Sequence, residues 1–204
     1  MDLNLLKYSI IGIIAYLIGS VSFSYIFTKK IKKKDIRDTG SGNAGTTNVL
    51  RSYGWKMGLL TLVCDLLKGV GAAFLGLVIA GEMGLYVASV LVIVGHNWSV
   101  YLKFKGGKGI AATTGVLLVI MPIPTVIIFG VCVLIVYLSK IMSVGSIIGL
   151  IASAVASFIV QPGNLAMHIT VVLIAAFGII SHRENIKRLA HNQENKLSIK
   201  SGKK

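Results

Sequence analysis

Long apolar runs make up most of this chain, and its polar residues gather in a few short clusters between them. From about Asn4 to Thr28 the sequence is predominantly apolar. That is long enough to cross a bilayer, because about 20 residues at about 1.5 Å each span the hydrocarbon. A second such run extends from about Met57 to Ala80, turns at Gly81–Gly84 and returns from about Leu85 to Val94. Ile110 to Leu138 is apolar but interrupted by Pro122 and Pro124. As one straight helix it would reach roughly 43 Å, against a hydrocarbon core about 30 Å thick, so a pair of short helices turning at the prolines is expected. Two further spans follow, about Val144–Val160 and about Leu165–Ile180, joined through Gln161-Pro162-Gly163-Asn164. Gly145, Gly149, Ser153 and Ser157 recur every four residues in the first of these, a stripe that suits close helix packing.

Composition agrees with this pattern: 54% of the 204 residues are hydrophobic and only 14% charged, which excludes an ordinary soluble domain. The net charge of +14 does not mark a nucleic-acid binder, because the basic residues sit at the ends of apolar runs without interleaved aromatics. They mark sidedness instead, and contact with anionic membrane lipids. Lys29, Lys30, Lys32, Lys33, Lys34 and Arg37 follow the first span, which puts that end in the cytoplasm and the N-terminus outside. The proline-turned pair keeps Lys140 and the basic C-terminus inside as well. The expected fold is therefore an all-α, polytopic integral membrane protein with seven transmembrane helices, two of them short. Nineteen of the 21 Lys and Arg, all but Lys7 and Lys68, then lie on the cytoplasmic side. One membrane-embedded unit over residues 1–189 and a solvated, partly disordered basic tail over 190–204 complete the organisation. Cys64 and Cys132 lie in apolar segments without ligand spacing, so neither a metal site nor a disulfide is implied.

The polar clusters carry the chemistry. The first, Thr39 to Arg51, has Gly40, Gly42 and Gly45 to turn backbone N–H groups inward, with Ser41, Asn43, Thr46, Thr47 and Asn48 as neutral donors and Arg51 as a planar fork for phosphate or carboxylate. The second, GHNWSVYLKFKGGKG from Gly95 to Gly109, places Gly106, Gly107 and Gly109 around Lys108 as a second potential phosphate nest, with Lys103 and Lys105 nearby. It is not a nucleotide-binding loop, because Gly109 stands where a Walker sequence needs Ser or Thr. The third, Ser181 to Asn185, offers His182 and Asn185 three apart, on one face of a helix. Ser143 and Ser146 can reach the same end. Asp65 and Lys68, also three apart, read either as a structural ion pair or as support for a site.

In order and in spacing, GSGNAGTTNVLR, then GHNWSVYLKFKGGKG with Ile110-Ala111-Ala112-Thr113, then HREN resemble the bacterial acyl-phosphate-dependent glycerol-3-phosphate acyltransferases, the PlsY family. The resemblance covers nearly the whole chain. It departs at Ala44, often Pro in relatives, and Thr46, often Ala, and neither change removes a phosphate donor. It implies transfer of a fatty acyl group from acyl phosphate to the 1-hydroxyl of glycerol 3-phosphate, giving lysophosphatidate and phosphate, with no cofactor or metal and a site on the cytoplasmic face. It also implies that Ser41, Lys108, His182 and Asn185 are catalytic and that Thr47, Asn48, Arg51 and Lys105 bind substrate. The nest reading adds Gly42, Asn43, Gly106 and Gly107 to the binding set, and Ser146 joins it from its place at the cytoplasmic end of its span.

The residues suit that chemistry. An acyl phosphate is already activated, so the enzyme has to hold two repelling anions and orient a hydroxyl toward a carbonyl. The proton of that hydroxyl goes either to the leaving phosphate or to His182. No His is followed five positions later by Asp, and no Ser–His–Asp triad can be assembled. Two rivals remain: a transporter of an organic phosphate, which needs polar groups near the midplane and access from both faces, and a lysine-rich scaffold on anionic lipid.

Overall fold

The computed structural model describes residues 2–197, which are all-helical apart from turns and loops. The first apolar run forms α1 (Leu3–Ser20) and α2 (Phe23–Lys32), not the single helix expected from about Asn4 to Thr28. The break frees carbonyls in an apolar interior, and other segments take them up. Lys68 Nζ donates to Gly19 O at 2.9 Å and Val21 O at 2.6 Å, and Ser99 Oγ donates to Ser20 O at 2.6 Å. Ser22 caps the restart by accepting from Tyr25 N.

Nearly half of the first polar cluster, from Thr46 on, is helical as part of α3 (Thr46–Tyr53), and Gly54 joins it to α4 (Trp55–Asn97). At Ala80 and Gly81 α4 leaves helical geometry, Gly81 having φ 65°, and the chain folds back as a tight hairpin. Gly76 and Gly84 lie backbone to backbone there. Asp65 and His96 would be roughly 46 Å apart on a straight helix, yet Asp65 Oδ1 lies 3.8 Å from His96 Nδ1. The reversal matches the expected turn, but Glu82 to Gly84 are already helical and the returning arm runs to Asn97, past the expected end at Val94.

The proline-interrupted stretch becomes α5 (Ile110–Ile120) and α6 (Pro122–Ser139), parting at Met121. Only α5 is short. Pro122 begins α6 at its first position, where a missing N–H costs nothing, so α6 is a full 18-residue apolar helix and not half of a short pair. α7 (Met142–Val160) and α8 (Leu165–Ser181) follow, and at His182 the chain bends by 59° into the amphipathic α9 (Arg183–Ala190). The tail then folds back, with Leu197 N donating to Lys140 O at 2.6 Å. It is not purely a solvated extension of the unit expected to end at residue 189, and residues 198–204 of that expected tail lie outside the described residues.

Among the described residues four segments are long and apolar enough to cross a membrane: α1 with α2, the α4 hairpin region to Leu102, α6 and α7. The bent pair of α8 and α9 adds a fifth if it is one span. Large apolar side chains cover the outside, among them Ile123, Val126, Ile127 and Leu138 of α6, as suits a surface bathed in hydrocarbon. The core joins Ile11 and Ala15 to Ala72, Ala88 and Val92, then to Ala112 and Val116, and to Val171 and Ile174. Small residues bring these helices backbone to backbone, as membrane packing requires. A Cβ at Gly69 would strike Ala112 O, one at Gly95 would strike Tyr16 O, and one at Gly115 would strike Leu66 O. The stripe on α7 packs in the same way, Gly145 and Gly149 against Cys132 of α6.

Gly69 and Gly71 offer a direct test, because nothing lies within 4 Å of a Cβ at Gly71. Overpacking costs about 1–3 kcal/mol and a chain of this size shifts about 2–4 °C per kcal/mol, so Gly69→Val lowers the melting temperature in detergent by about 2–12 °C. Gly71→Val leaves it unchanged.

Candidate active site

A small buried cluster of Ile36, Ala44, Val49 and Leu102 underlies the first polar segment. Arg37, paired with Asp35 at 2.7 Å, fastens that segment by donating to Leu102 O at 3.2 Å, and the guanidinium holds the Asp35 carboxyl below its usual range. Asn48 ties the loop from inside. Its Nδ2 donates to Ile36 O, Thr39 O and Asn43 O at 2.9–3.0 Å, and its Oδ1 accepts from Ser41 N at 2.9 Å. Gly40 has φ 57° and no room for a Cβ beside Asn48.

Thus anchored, the segment forms one wall of a cavity of about 130 Å³. Ser41, Asn43, Thr47, Asn48, Arg51, Lys108, Ser146, His182 and Asn185, drawn from all three polar clusters and α7, line it together. Four expected site residues do not. Gly42 shapes a turn, with φ 72° and its N–H donating to Thr39 O at 3.0 Å. Lys105 is exposed. Gly106 N donates to Asn97 O at 3.2 Å and Gly107 N to His96 O at 2.9 Å, so the supposed second nest uses these N–H groups to cap the end of α4. Asn48 lines the cavity, but its amide is fully engaged by the loop and has no donor left for a ligand.

The donors come instead from helix ends. Gly45 caps α3 and Gly109 caps α5, neither helix has a side-chain cap, and the first residues of both line the cavity. Two positive helix ends therefore converge on it, which favours an anion. Three cations stand around it: Arg51, Lys108 and Arg188. Glu194, returning from the tail with its side chain 4% exposed, accepts from Arg188 Nε at 2.8 Å and from Asn185 Nδ2 at 2.7 Å, while Asn185 Oδ1 accepts from Lys108 Nζ. Arg51 Nη2 donates to Asn195 O at 2.9 Å. Burial pulls Lys108 down to about 8, with Glu194 opposing and Arg188 and Arg51 adding to the fall. Burial also lowers Arg51. Among the described residues no group of three or more His, Cys, Asp or Glu is placed to hold a metal ion.

Sequence reasoning missed Arg188 and Glu194. Arg188 is three residues past Asn185 and so shares its face of α9, a spacing that was available to find it. Nothing local marks Glu194. Asp65 and His96, from the two arms of α4, also reach the cavity wall.

His182 closes the far side, 3% exposed. Its Nδ1 lies 2.7 Å from Gly178 O, which sets that nitrogen as the N–H and leaves Nε2 as the acceptor. Burial first, then nearby Lys108, push it down to about 4, with the Gly178 and Glu194 contacts opposing. The folded chain therefore keeps His182 neutral between about 4 and its ordinary value of 6.5, while the unfolded chain takes up the proton. Stability at this residue is full above pH 6.5 and lost as the pH falls toward 4. Wild-type protein in detergent thus loses melting temperature between pH 7 and 5 relative to His182→Gln. A melting-temperature series across that range checks the sign.

The family model described as "Glycerol-3-phosphate acyltransferase" matches residues 9–192. The glycerol-3-phosphate acyltransferase of Thermoanaerobacter sp. (strain X514) is 42% identical over 93% of this chain and 96% of its own. That of Clostridioides difficile (strain 630) is 40% identical over 97% and 99%. Crystal structures of PlsY (YgiH), an integral membrane glycerol 3-phosphate acyltransferase, superpose with TM-scores of 0.87 for the glycerol 3-phosphate form and 0.85 for the lysophosphatidic acid form. They are 33% and 32% identical and cover 94% of this chain and 96% of theirs. A small cavity ringed by cations, in a helical membrane fold shared with these enzymes along nearly its full length, places the chain in the glycerol-3-phosphate acyltransferase family.

Proposed function

We propose that the protein transfers a fatty acyl group from acyl phosphate to the 1-hydroxyl of glycerol 3-phosphate, releasing lysophosphatidate and inorganic phosphate. One observation carries this reading: the cation-ringed cavity shares Thr46, Thr47, Ile110, Ala111, Met142 and Ser146 with an apolar groove of about 470 Å³. Leu59, Leu66, Leu117, Phe129 and Val133 line the groove, and Leu59, Phe129 and Val133 are exposed along its edge. A lipid tail lies there with its phosphate end in the cavity. A polar cavity this small suits phosphate as leaving group better than a nucleotide-bearing carrier.

Arg51, Lys108, Arg188 and the N-terminal ends of α3 and α5 hold the two phosphates and reduce their repulsion. The hydroxyl oxygen of glycerol 3-phosphate attacks the acyl carbonyl, an ester C–O bond forms, and the C–O bond to phosphate breaks. Thr46, Thr47 and Ser146, at the boundary of cavity and groove, sit where the developing oxyanion needs donors. Burial disfavours a charged His182, which supports passing the hydroxyl proton to the departing phosphate. His182 Nε2 and Asn185 orient the acceptor, and Ser41 faces the first phosphate.

The basic ends of the helices support a site on the cytoplasmic face of a bacterial cell membrane, with the N-terminus outside. Counting the two arms of α4 separately, with α1, α5, α6, α7 and α8, gives seven crossings. The catalytic unit over residues 1–189 is completed by Glu194.

Purified protein in detergent, given glycerol 3-phosphate and either acyl phosphate or acyl-CoA, is expected to form lysophosphatidate only with acyl phosphate, one phosphate being released per ester. Product from acyl-CoA alone rejects the donor. Arg51→Ala loses about 10²–10³ in kcat/KM, the usual scale for removing a preorganised donor. Uptake of glycerol 3-phosphate into sealed vesicles without acyl transfer favours a transporter instead.

A further inference from the structure

Four buried polar atoms on the cavity wall, Thr46 Oγ1, Arg51 Nε, His96 Nδ1 and Ser143 Oγ, have no hydrogen-bond partner among the described residues, and Asp65 Oδ1 has only the Lys68 ammonium. Thr46, Arg51 and Ser143 stand among the groups that face phosphate. Asp65 and His96 do not fit that role, because a carboxylate repels an anion. They come from the two arms of α4, they are 1% and 6% exposed, and Asp65 Oδ1 faces His96 Nδ1 at 3.8 Å. That is too long for a direct hydrogen bond, yet one oxygen about 2.8 Å from each atom satisfies both. Lys68 does not fill the gap. Two of its three N–H bonds go to Gly19 O and Val21 O and the third meets Asp65 Oδ1 at 3.0 Å, which leaves the other lone pair of that oxygen and His96 Nδ1 open toward each other.

A group bridging these two atoms has to donate a hydrogen to a carboxylate and accept one from an imidazole N–H. A hydroxyl does both. Neither Asp65 nor His96 lines the apolar groove, so a hydroxyl held between them is turned away from the acyl donor. We propose that Asp65 and His96 form the subsite for the 2-hydroxyl of glycerol 3-phosphate. By fixing that hydroxyl they select this acceptor over phosphates lacking it, and they leave the 1-hydroxyl as the one presented to the acyl carbonyl. The inference rests on the acceptor assigned above but not on the acyl donor.

The probe is 3-hydroxypropyl phosphate, which keeps the phosphate and the reacting hydroxyl and lacks only the 2-hydroxyl. A site built to bind a hydroxyl rejects an analogue without it because its own buried groups are left unpaired. Wild-type protein in detergent is therefore expected to prefer glycerol 3-phosphate by about 30-fold or more, both in the ligand concentration that raises its melting temperature and in kcat/KM. In Asp65→Asn and His96→Phe the preference collapses to within about 3-fold, because binding of glycerol 3-phosphate weakens and that of the analogue does not. Equal use of the two compounds by the wild type overturns the proposal and requires no variant to fold. So does a parallel loss of both compounds in the variants, which marks a structural role alone. A protein that shows the binding preference yet transfers nothing from acyl phosphate supports this subsite and rejects the donor.

Discussion

The ammonium of Lys68 is the contact on which the arrangement of this fold depends. A helix that breaks inside hydrocarbon exposes carbonyls with no water to receive them, and each costs several kcal/mol if left bare. Burying an ammonium there is also costly by itself. The two problems offset each other, since Lys68 reaches Gly19 O, Val21 O and the Asp65 carboxylate together. That fixes α1 against the first arm of α4. Asp65 then faces His96 on the returning arm, the His96 carbonyl receives Gly107 N, and the loop carrying Lys108 is set over the cavity. A structural ion pair and a part of the site were offered as alternatives for Asp65 and Lys68, and the geometry gives one of them to each residue: Lys68 braces the helices, while Asp65 also reaches the cavity wall.

The cavity assembles positive potential without leaving it loose. Arg51, Lys108 and Arg188 face one carboxylate, Glu194, which orders them through Asn185 and Arg188. Three cations against one carboxylate leave an excess of two, with Asp65 matched by Lys68. The open ends of α3 and α5 add partial charges that cannot move away. Fixed dipoles and hydrogen-bonded cations in a largely buried site act more strongly on an anion than the same groups would in water.

Which parts of this were legible depended on how local the cause was. The charge rule and the apolar runs brought the three polar clusters to one end, because sidedness is written in residues beside each span. Hence Arg51, Lys108 and His182 were expected together and are together. The break at Val21 was hidden, since its partners Lys68 and Ser99 are distant in sequence. Glycine-rich runs indicated inward-facing amides but not which ones. Gly106 and Gly107 turn theirs to the end of α4, while Gly45 and Gly109 open helices onto the cavity. Asn48, expected to bind substrate, lines the cavity and also holds the loop, a second role that only its four bonds reveal. Glu194 depends on the chain folding back, which no periodicity records.

The groove and the packing use the same residues, and this explains why α7 carries small ones. Gly145 and Gly149 let α6 approach to contact at Cys132, yet both also line the groove beside Ser146 and Ser153. A larger side chain at either position would both push α6 away and fill the channel. α6 makes few buried contacts of its own, with only Thr125 among its buried residues, so it is held mainly along this narrow seam. Thr125 Oγ1 donates to Met121 O at 2.7 Å and Leu117 O at 3.0 Å, closing the α5–α6 junction at the end of the groove away from the cavity. The two helices are thus joined at that junction and separated by the groove along their length. The groove opens between them toward the surrounding lipid, apart from the segments that carry Arg51 and Lys108, which are fastened to α4.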